Sequence, residues 1–154
     1  MMAYEEVTMS TDPPSLQGLR HLALRVRDIH KAKEFYLKFF SMKVVWEPDA
    51  QNCYLSSGTD NLALHEMPPD AQLSRSTDAL DHFGFIAETP SAVDTWARWA
   101  TQNGAHISVA PKQHRDGSYS CYLTDPDGNT IQVLYEPSIS ALQSIGLKKE
   151  SYIP

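Results

Sequence analysis

The chain has 154 residues, of which 42% are hydrophobic and 21% charged, and its formal net charge is −6. This length and composition are ordinary for one globular domain and exclude disorder over the bulk of the chain. The acidic balance lacks the basic patch that nucleic acid requires, and no apolar run approaches the roughly 20 residues that span a bilayer. We therefore expect neither a nucleic-acid nor a membrane partner.

Residues 1–17 carry acidic side chains and a Pro13-Pro14 pair but no apolar block. We expect a flexible leader there and not a secretory signal, which needs a basic start and an apolar stretch. The chain has two cysteines, Cys53 and Cys121. Because no export signal is visible, both are expected to stay reduced, and a cytoplasmic location is expected.

The first predicted element is a strand along 21–26, where apolar and polar residues alternate. Apolar residues then recur every three or four positions from Ala32 to Phe40, which predicts a helix with Asp28 as its N-cap. Three further strands are predicted, at 43–47, 53–56 and 62–67.

The same order of elements repeats from His82. Alternation predicts a strand there, and Thr89 with Pro90 is expected to begin a helix that stops at Asn103-Gly104. Three more strands are predicted, at 106–109, 119–123 and 130–136. The closing strands NLALHEMP and TIQVLYEP also align, so that Ala63 matches Gln132. The stretch KQHRDGSY is extra in the second half, and it is interpreted as a polar loop or a lid.

Each half is thus predicted to be a βαβββ module, in which one helix covers one face of a four-stranded sheet. The predicted fold class is α+β, with two tandem modules whose paired curved sheets surround a cleft. The domain is expected to span 18–137, with one module at 18–68 and the other at 80–137. The remaining tail, 138–154, is expected to include a short helix that packs on a partner or on its own domain.

Four pieces of the sequence, in this order, resemble the vicinal oxygen chelate superfamily, which holds glyoxalases, bleomycin-resistance proteins and extradiol dioxygenases. They are LRHLALRVRDIHKAKEFYLKFFSMKV, NLALHEMP, DHFGFIAET and YLTDPDGNTIQVLYEP. The resemblance covers roughly residues 19–137. It implies a small-molecule cleft, a divalent metal in the members that use one, and pairing of two copies as a homodimer.

Metal-using members carry one ligand on the first strand and one on the closing strand of each module. The first-strand positions fall on His21 and His82, and the closing-strand positions fall on Ala63 and Gln132. Ala63 has no donor atom, and Gln132 offers a neutral oxygen where glyoxalase-like members usually carry Glu. His65, two residues beyond Ala63 on the same face, is the candidate replacement. The implied metal site is His21, His82, His65 and Gln132 around Fe, Zn, Ni or Mn, with no nucleotide cofactor.

Four further side chains are candidates for contact with a substrate: Arg25, Tyr54, Tyr122 and Glu136. Arg25 can either hold a substrate carboxylate or pair with Glu136. No residue is assigned a catalytic role.

Two functions remain open at this point. One is a metal-dependent enzyme, a glyoxalase-like lyase or isomerase or, next, a dioxygenase, and the histidine pair favours it. The other is a metal-free protein that binds or sequesters a small molecule, and Ala63 and Gln132 favour it. The enzyme is the slightly preferred expectation, although no carboxylate is available as the base that glyoxalase chemistry uses.

Overall fold

The structure is a computed structural model, and it describes residues 16, 18–71 and 80–144. Most of the expected leader and the tail beyond residue 144 lie outside the described residues. The order of elements confirms the predicted repeat of β, α and three β. They are β1 (His21–Val26), α1 (Ile29–Phe40), β2 (Lys43–Asp49), β3 (Asn52–Ser56), β4 (Asn61–Glu66), β5 (Phe83–Ile86), α2 (Pro90–Gln102), β6 (Ile107–Gln113), β7 (Tyr119–Thr124), β8 (Thr130–Tyr135) and α3 (Pro137–Ser144).

The strands form two four-stranded sheets, with the orders β1-β4-β3-β2 and β5-β8-β7-β6. In each sheet the first strand pairs in parallel with the closing strand, and the other pairs are antiparallel. Leu22 lies opposite Leu62 in the first sheet. Phe83 lies opposite Ile131 at the equivalent place in the second sheet. The register thus confirms the predicted alignment of the two closing strands.

Both predicted helix starts are confirmed by their caps. The Asp28 carboxylate accepts a hydrogen bond from the backbone N–H of Lys31 at 3.0 Å. The Thr89 hydroxyl accepts one from the backbone N–H of Ala92 at 3.1 Å. Gly104 follows the end of α2 and has a φ of +94, a left-handed backbone conformation that is unfavourable for residues with a Cβ atom.

The Thr89 cap gives a first testable prediction. Thr89→Ala should lower the free energy of unfolding by about 1 kcal/mol, because the backbone N–H of Ala92 loses its side-chain acceptor and keeps only the Thr89 carbonyl. Thr89→Ser keeps the oxygen and should stay close to the wild type. Urea denaturation followed by circular dichroism measures both variants, and an equal loss in the two would contradict a role for the hydroxyl.

One hydrophobic core joins the two modules through their helix sides. The ring of Phe40 in α1 stacks on that of Phe85 in β5, with centroids 4.0 Å apart. The indole N–H of Trp96 in α2 donates to the carbonyl of Phe39 in α1 at 3.0 Å. Each helix therefore packs on its own sheet and also contacts the other module.

A buried polar contact also links the modules, and its centre is the turn between β7 and β8. The hydroxyl of Tyr36 in α1 is fully buried and donates to the Asp125 carboxylate at 2.8 Å. The backbone N–H groups of Asp127 and Asn129 donate to the same carboxylate, at 3.0 and 2.8 Å. Burial, reinforced by the Asp125 charge, raises the pKa of the Tyr36 hydroxyl, which keeps it protonated as a donor.

The stretch predicted as an inserted loop or lid is a β-hairpin instead. Its first residues continue β6 to Gln113, and Tyr119 already belongs to β7. The backbone N–H of His114 donates to the carbonyl of Ser118 at 2.9 Å and closes the turn. The prediction was wrong because Pro111, Lys112 and Gln113 read as a polar loop: proline is disfavoured inside strands, and no apolar alternation continues beyond Val109.

The predicted helix at the start of the tail is confirmed as α3. It packs on its own module, where the Ser140 hydroxyl donates to the carbonyl of Ala87 at 2.9 Å. In the parts of the chain that the structure describes, no helix is long and apolar enough to cross a membrane.

Candidate functional site

Each sheet has two faces. The helix of the module covers one of them, and the other, termed the open face, lies on the side away from the helix. In β1, Leu24 and Val26 belong to the buried core, whereas His21 and Arg25 are exposed on the open face. The first open face consists of His21, Ala23, Arg25, Lys43, Trp46, Asp49, Asn52, Tyr54, Ser56, Asn61, Ala63 and His65. The second consists of His82, Gly84, Ile86, Val109, Lys112, Ser120, Tyr122, Thr124, Thr130, Gln132 and Leu134.

Both predicted histidines of the first open face are held by asparagines. His21 Nδ1 lies 2.7 Å from the side-chain oxygen of Asn61, and His65 Nδ1 lies 2.6 Å from that of Asn52. His21 pairs with Asn61 in the sheet, and His65 lies four residues further along the same strand. At a rise of about 3.3 Å per residue these two places are roughly 13 Å apart. Within this chain His65 therefore does not meet His21.

Ala63, the closing-strand position of the first module, is fully buried although it faces away from the helix. It pairs with Ala23 on one side and with Tyr54 on the other. Its side chain is therefore covered, and this position offers neither a donor atom nor an exposed surface to a metal.

Gln132, the closing-strand position of the second module, lies in a hydrogen-bonded network. Its amide N–H₂ donates to the hydroxyls of Ser120 and Tyr122, both at 2.8 Å. Ser120 is fully buried, and its hydroxyl lies 2.7 Å from His114 Nε2. An amide nitrogen has two hydrogens, and both are engaged. Among the described residues no fully buried side-chain polar atom lacks a partner, so the Gln132 oxygen keeps some contact with solvent although the residue as a whole is only 8% exposed.

His82 contacts the same network through Tyr122. The two rings meet edge to face with centroids 5.5 Å apart, and the His114 ring meets Tyr122 in the same way at 6.5 Å. His82 Nδ1 pairs with the Asp81 carboxylate. The sequence interpretation missed His114, because it had been placed in a loop; its position six residues before Ser120, across a short turn, is the signal that links them.

The last two residues predicted to contact a substrate, Glu136 and Arg25, do not contact each other. Glu136 accepts hydrogen bonds from the backbone N–H and the hydroxyl of Ser138, at 3.1 and 2.9 Å, and so caps α3. Arg25 is exposed, and no carboxylate of the described residues lies within ion-pair distance of its guanidinium. The alternative ion pair between Arg25 and Glu136 is therefore wrong.

Within one chain, the described donor atoms do not assemble a complete divalent metal centre. Such a centre takes three or four protein ligands. The four family positions hold two histidines, a covered alanine and a glutamine. In the described ranges, no three His, Cys, Asp or Glu side chains lie close enough together to hold an ion.

Comparison with known proteins agrees with this architecture. Residues 18–133 match the family described as the Glyoxalase/Bleomycin resistance protein/Dioxygenase superfamily. The chain belongs to this superfamily.

Within the superfamily, the chain is 29% identical over 122 residues to an uncharacterized protein of Pseudomonas aeruginosa, a match that spans 76% of this chain and 87% of that protein. It is 25% identical over 130 residues to a 1,2-dihydroxynaphthalene dioxygenase of Sphingobium xenophagum, which covers 82% of this chain but 42% of that enzyme. Its fold matches the crystal structure of a lactoylglutathione lyase from Agrobacterium tumefaciens with a TM-score of 0.66 and 24% identity, over 82% of this chain and 98% of that one.

Proposed function

We propose that this superfamily member binds a small hydroxylated molecule on its second open face and needs no metal to do so. The observation that carries the proposal is the network around Gln132. With both amide hydrogens engaged, the Gln132 oxygen accepts a hydrogen bond from the ligand, and the Tyr122 hydroxyl donates one. A ligand hydroxyl is both donor and acceptor, and it satisfies the two groups together.

The aromatic surroundings support the same proposal. Three rings meet at this place, those of His82, His114 and Tyr122. Binding sites for small molecules combine apolar and aromatic walls with a few fixed polar groups. Val109 and Leu134 provide further apolar surface on the same face.

We further propose that two copies of the chain pair as a homodimer. β1 and β5 each end a sheet, so among the described residues each presents an edge that pairs with no further strand. Such edges are templates for pairing with another chain. His21 lies on β1 and His82 directly precedes β5, so pairing of β1 with β5 of a second copy would bring the two open faces side by side.

Binding of 2-naphthol, measured by isothermal titration calorimetry with and without EDTA, tests the proposed function. This probe carries a single aromatic hydroxyl, and one relative is named for a dihydroxynaphthalene. The dissociation constant should be the same under both conditions. Gln132→Leu should raise it about tenfold through loss of one hydrogen bond, whereas Gln113→Leu on exposed β6 should not change it. Absence of binding to the wild type, or its loss in EDTA, would contradict the proposal.

A second candidate is a metal-dependent lyase, isomerase or dioxygenase-like enzyme that uses His21 and His82. The observation in its favour is that Nδ1 of both rings is held by a side-chain oxygen. Metal-bound histidines are usually held in this way, with Nε2 left for the ion.

Elemental analysis separates the two candidates. Untagged protein incubated with Fe²⁺, Zn²⁺, Ni²⁺ or Mn²⁺ and then desalted should retain no stoichiometric metal if the first candidate is correct. Stoichiometric metal that disappears in the His21→Ala and His82→Ala double variant would establish the second candidate instead.

A further inference from the structure

We infer that the first open face binds the ring and the anionic group of a planar aromatic carboxylate, with Arg25 as its cation. This inference rests on the proposed small-molecule function and specifies the class of ligand. It is carried by an exposed aromatic platform, by an arginine that forms no ion pair with any described residue, and by the difference between the two modules.

The platform consists of Trp46 and Tyr54. They are cross-strand partners on β2 and β3, with ring centroids 4.9 Å apart and planes inclined by 33°. The Trp46 side chain is 59% exposed, which is unusual for so large an apolar ring. The His65 ring meets the edge of Tyr54 at 5.8 Å, and Asn52 holds it there. A flat aromatic ligand would bury this surface by stacking.

Arg25 supplies the charge at the other end of the same face. It pairs with His65 across the sheet, and His65 pairs with Asn52 on the next strand. The strands β1 and β3 are separated by two inter-strand spacings, which is about 10 Å. The long side chain of Arg25 and a ligand with an aromatic ring can together span this distance. A guanidinium without an acidic neighbour binds a carboxylate through two parallel hydrogen bonds.

The second module shows that the fold does not require these side chains. Where the first sheet has Arg25 opposite His65, the second has Ile86 opposite Leu134. Where Trp46 pairs with Tyr54, Val109 pairs with Tyr122. The same scaffold thus forms with apolar residues at these places.

The charge on this face fits one carboxylate and not a phosphate-rich ligand. Two permanent cations lie at separate places on this face: Arg25 is in the row of His65 and Asn52, whereas Lys43 lies opposite Ser56, four residues along β3 from Asn52. The chain as a whole carries a net charge of −6. Asp49 lies at the far edge of the same row, where its carboxylate accepts from Asn52 and from the backbone N–H of Gln51, and it forms no ion pair with Arg25. A nucleotide or a diphosphate would need several cations or a glycine-rich loop.

Calorimetric titration with 2-naphthoate and with neutral 2-naphthamide tests the inference. The wild type should bind 2-naphthoate about tenfold more tightly, which is the effect of one charge-assisted pair. Arg25→Gln should remove this preference and leave 2-naphthamide binding unchanged. Arg98→Gln, which removes an exposed arginine on α2, is the matched control and should keep the preference. Trp46→Leu should weaken both ligands about fivefold.

Equal affinity of the wild type for the two ligands, or equal behaviour of the two arginine variants, would overturn the inference. Either result would leave the proposed function standing if 2-naphthol still binds in a manner that depends on Gln132. Failure of 2-naphthol to bind would instead remove the proposed function.

Discussion

Replacement of Tyr36 by alanine is expected to lower the free energy of unfolding by about 4 kcal/mol, one of the largest effects of any single substitution in this chain. Tyr36 is fully buried in the core that joins the modules. Its ring contacts Phe35 and Phe40, and its hydroxyl is bonded to Asp125. The variant loses both the packing and the donor. Urea denaturation monitored by tryptophan fluorescence measures the loss.

Tyr36→Phe separates the two contributions. It keeps the ring and removes only the hydroxyl, so the expected loss is about 1–3 kcal/mol. Asp125→Asn completes a double-mutant cycle, in which the two changes should be clearly non-additive. Wild-type stability of Tyr36→Phe, or additive losses in the cycle, would show that the contact does not hold the modules together.

Gln132→Glu is expected to raise the affinity for Zn²⁺ at least about fivefold, because a unit negative charge beside a cation is worth roughly 1–4 kcal/mol at a protein surface. The glutamate would place a carboxylate near His82, since both side chains contact Tyr122. The wild type has only a neutral amide there, with its nitrogen committed to Ser120 and Tyr122. Calorimetric titration with Zn²⁺ measures the change.

Gln113→Glu is the matched control, because it adds the same charge at an exposed site on β6. It should leave Zn²⁺ affinity close to that of the wild type. Adding His82→Ala to Gln132→Glu should cancel the gain. A gain that persists without His82, or that Gln113→Glu reproduces, would mean that the amide and the imidazole do not share a site.

Much of the fold could be predicted from the sequence because it depends on local patterns. The strand along β1 follows from alternation, and both helices follow from an apolar period of three to four residues with Asp28 and Thr89 as caps. The alignment of Ala63 with Gln132 was also correct, since it depends on the repeat and not on tertiary contacts. These features need no knowledge of which residues meet across the molecule.

The site was harder to predict because its contacts depend on register. His114 meets Ser120 only because β6 and β7 form a hairpin with shifted pairing. Glu136 caps a helix that was expected only as part of the tail. The burial of Ala63 depends on side-chain packing, which cannot be read from a pattern along the sequence.

Because the two modules carry different side chains, they contact the two ends of a bound molecule differently. A duplicated scaffold begins with two equivalent faces and would accept a symmetric ligand in either direction. In this chain one face carries a cation and an indole, and the other carries a neutral network of amide and hydroxyl groups. If a second copy places the two open faces side by side, an asymmetric ligand fits between them in one orientation only. The two-fold symmetry of the dimer then creates a second site, in which the ligand points the opposite way.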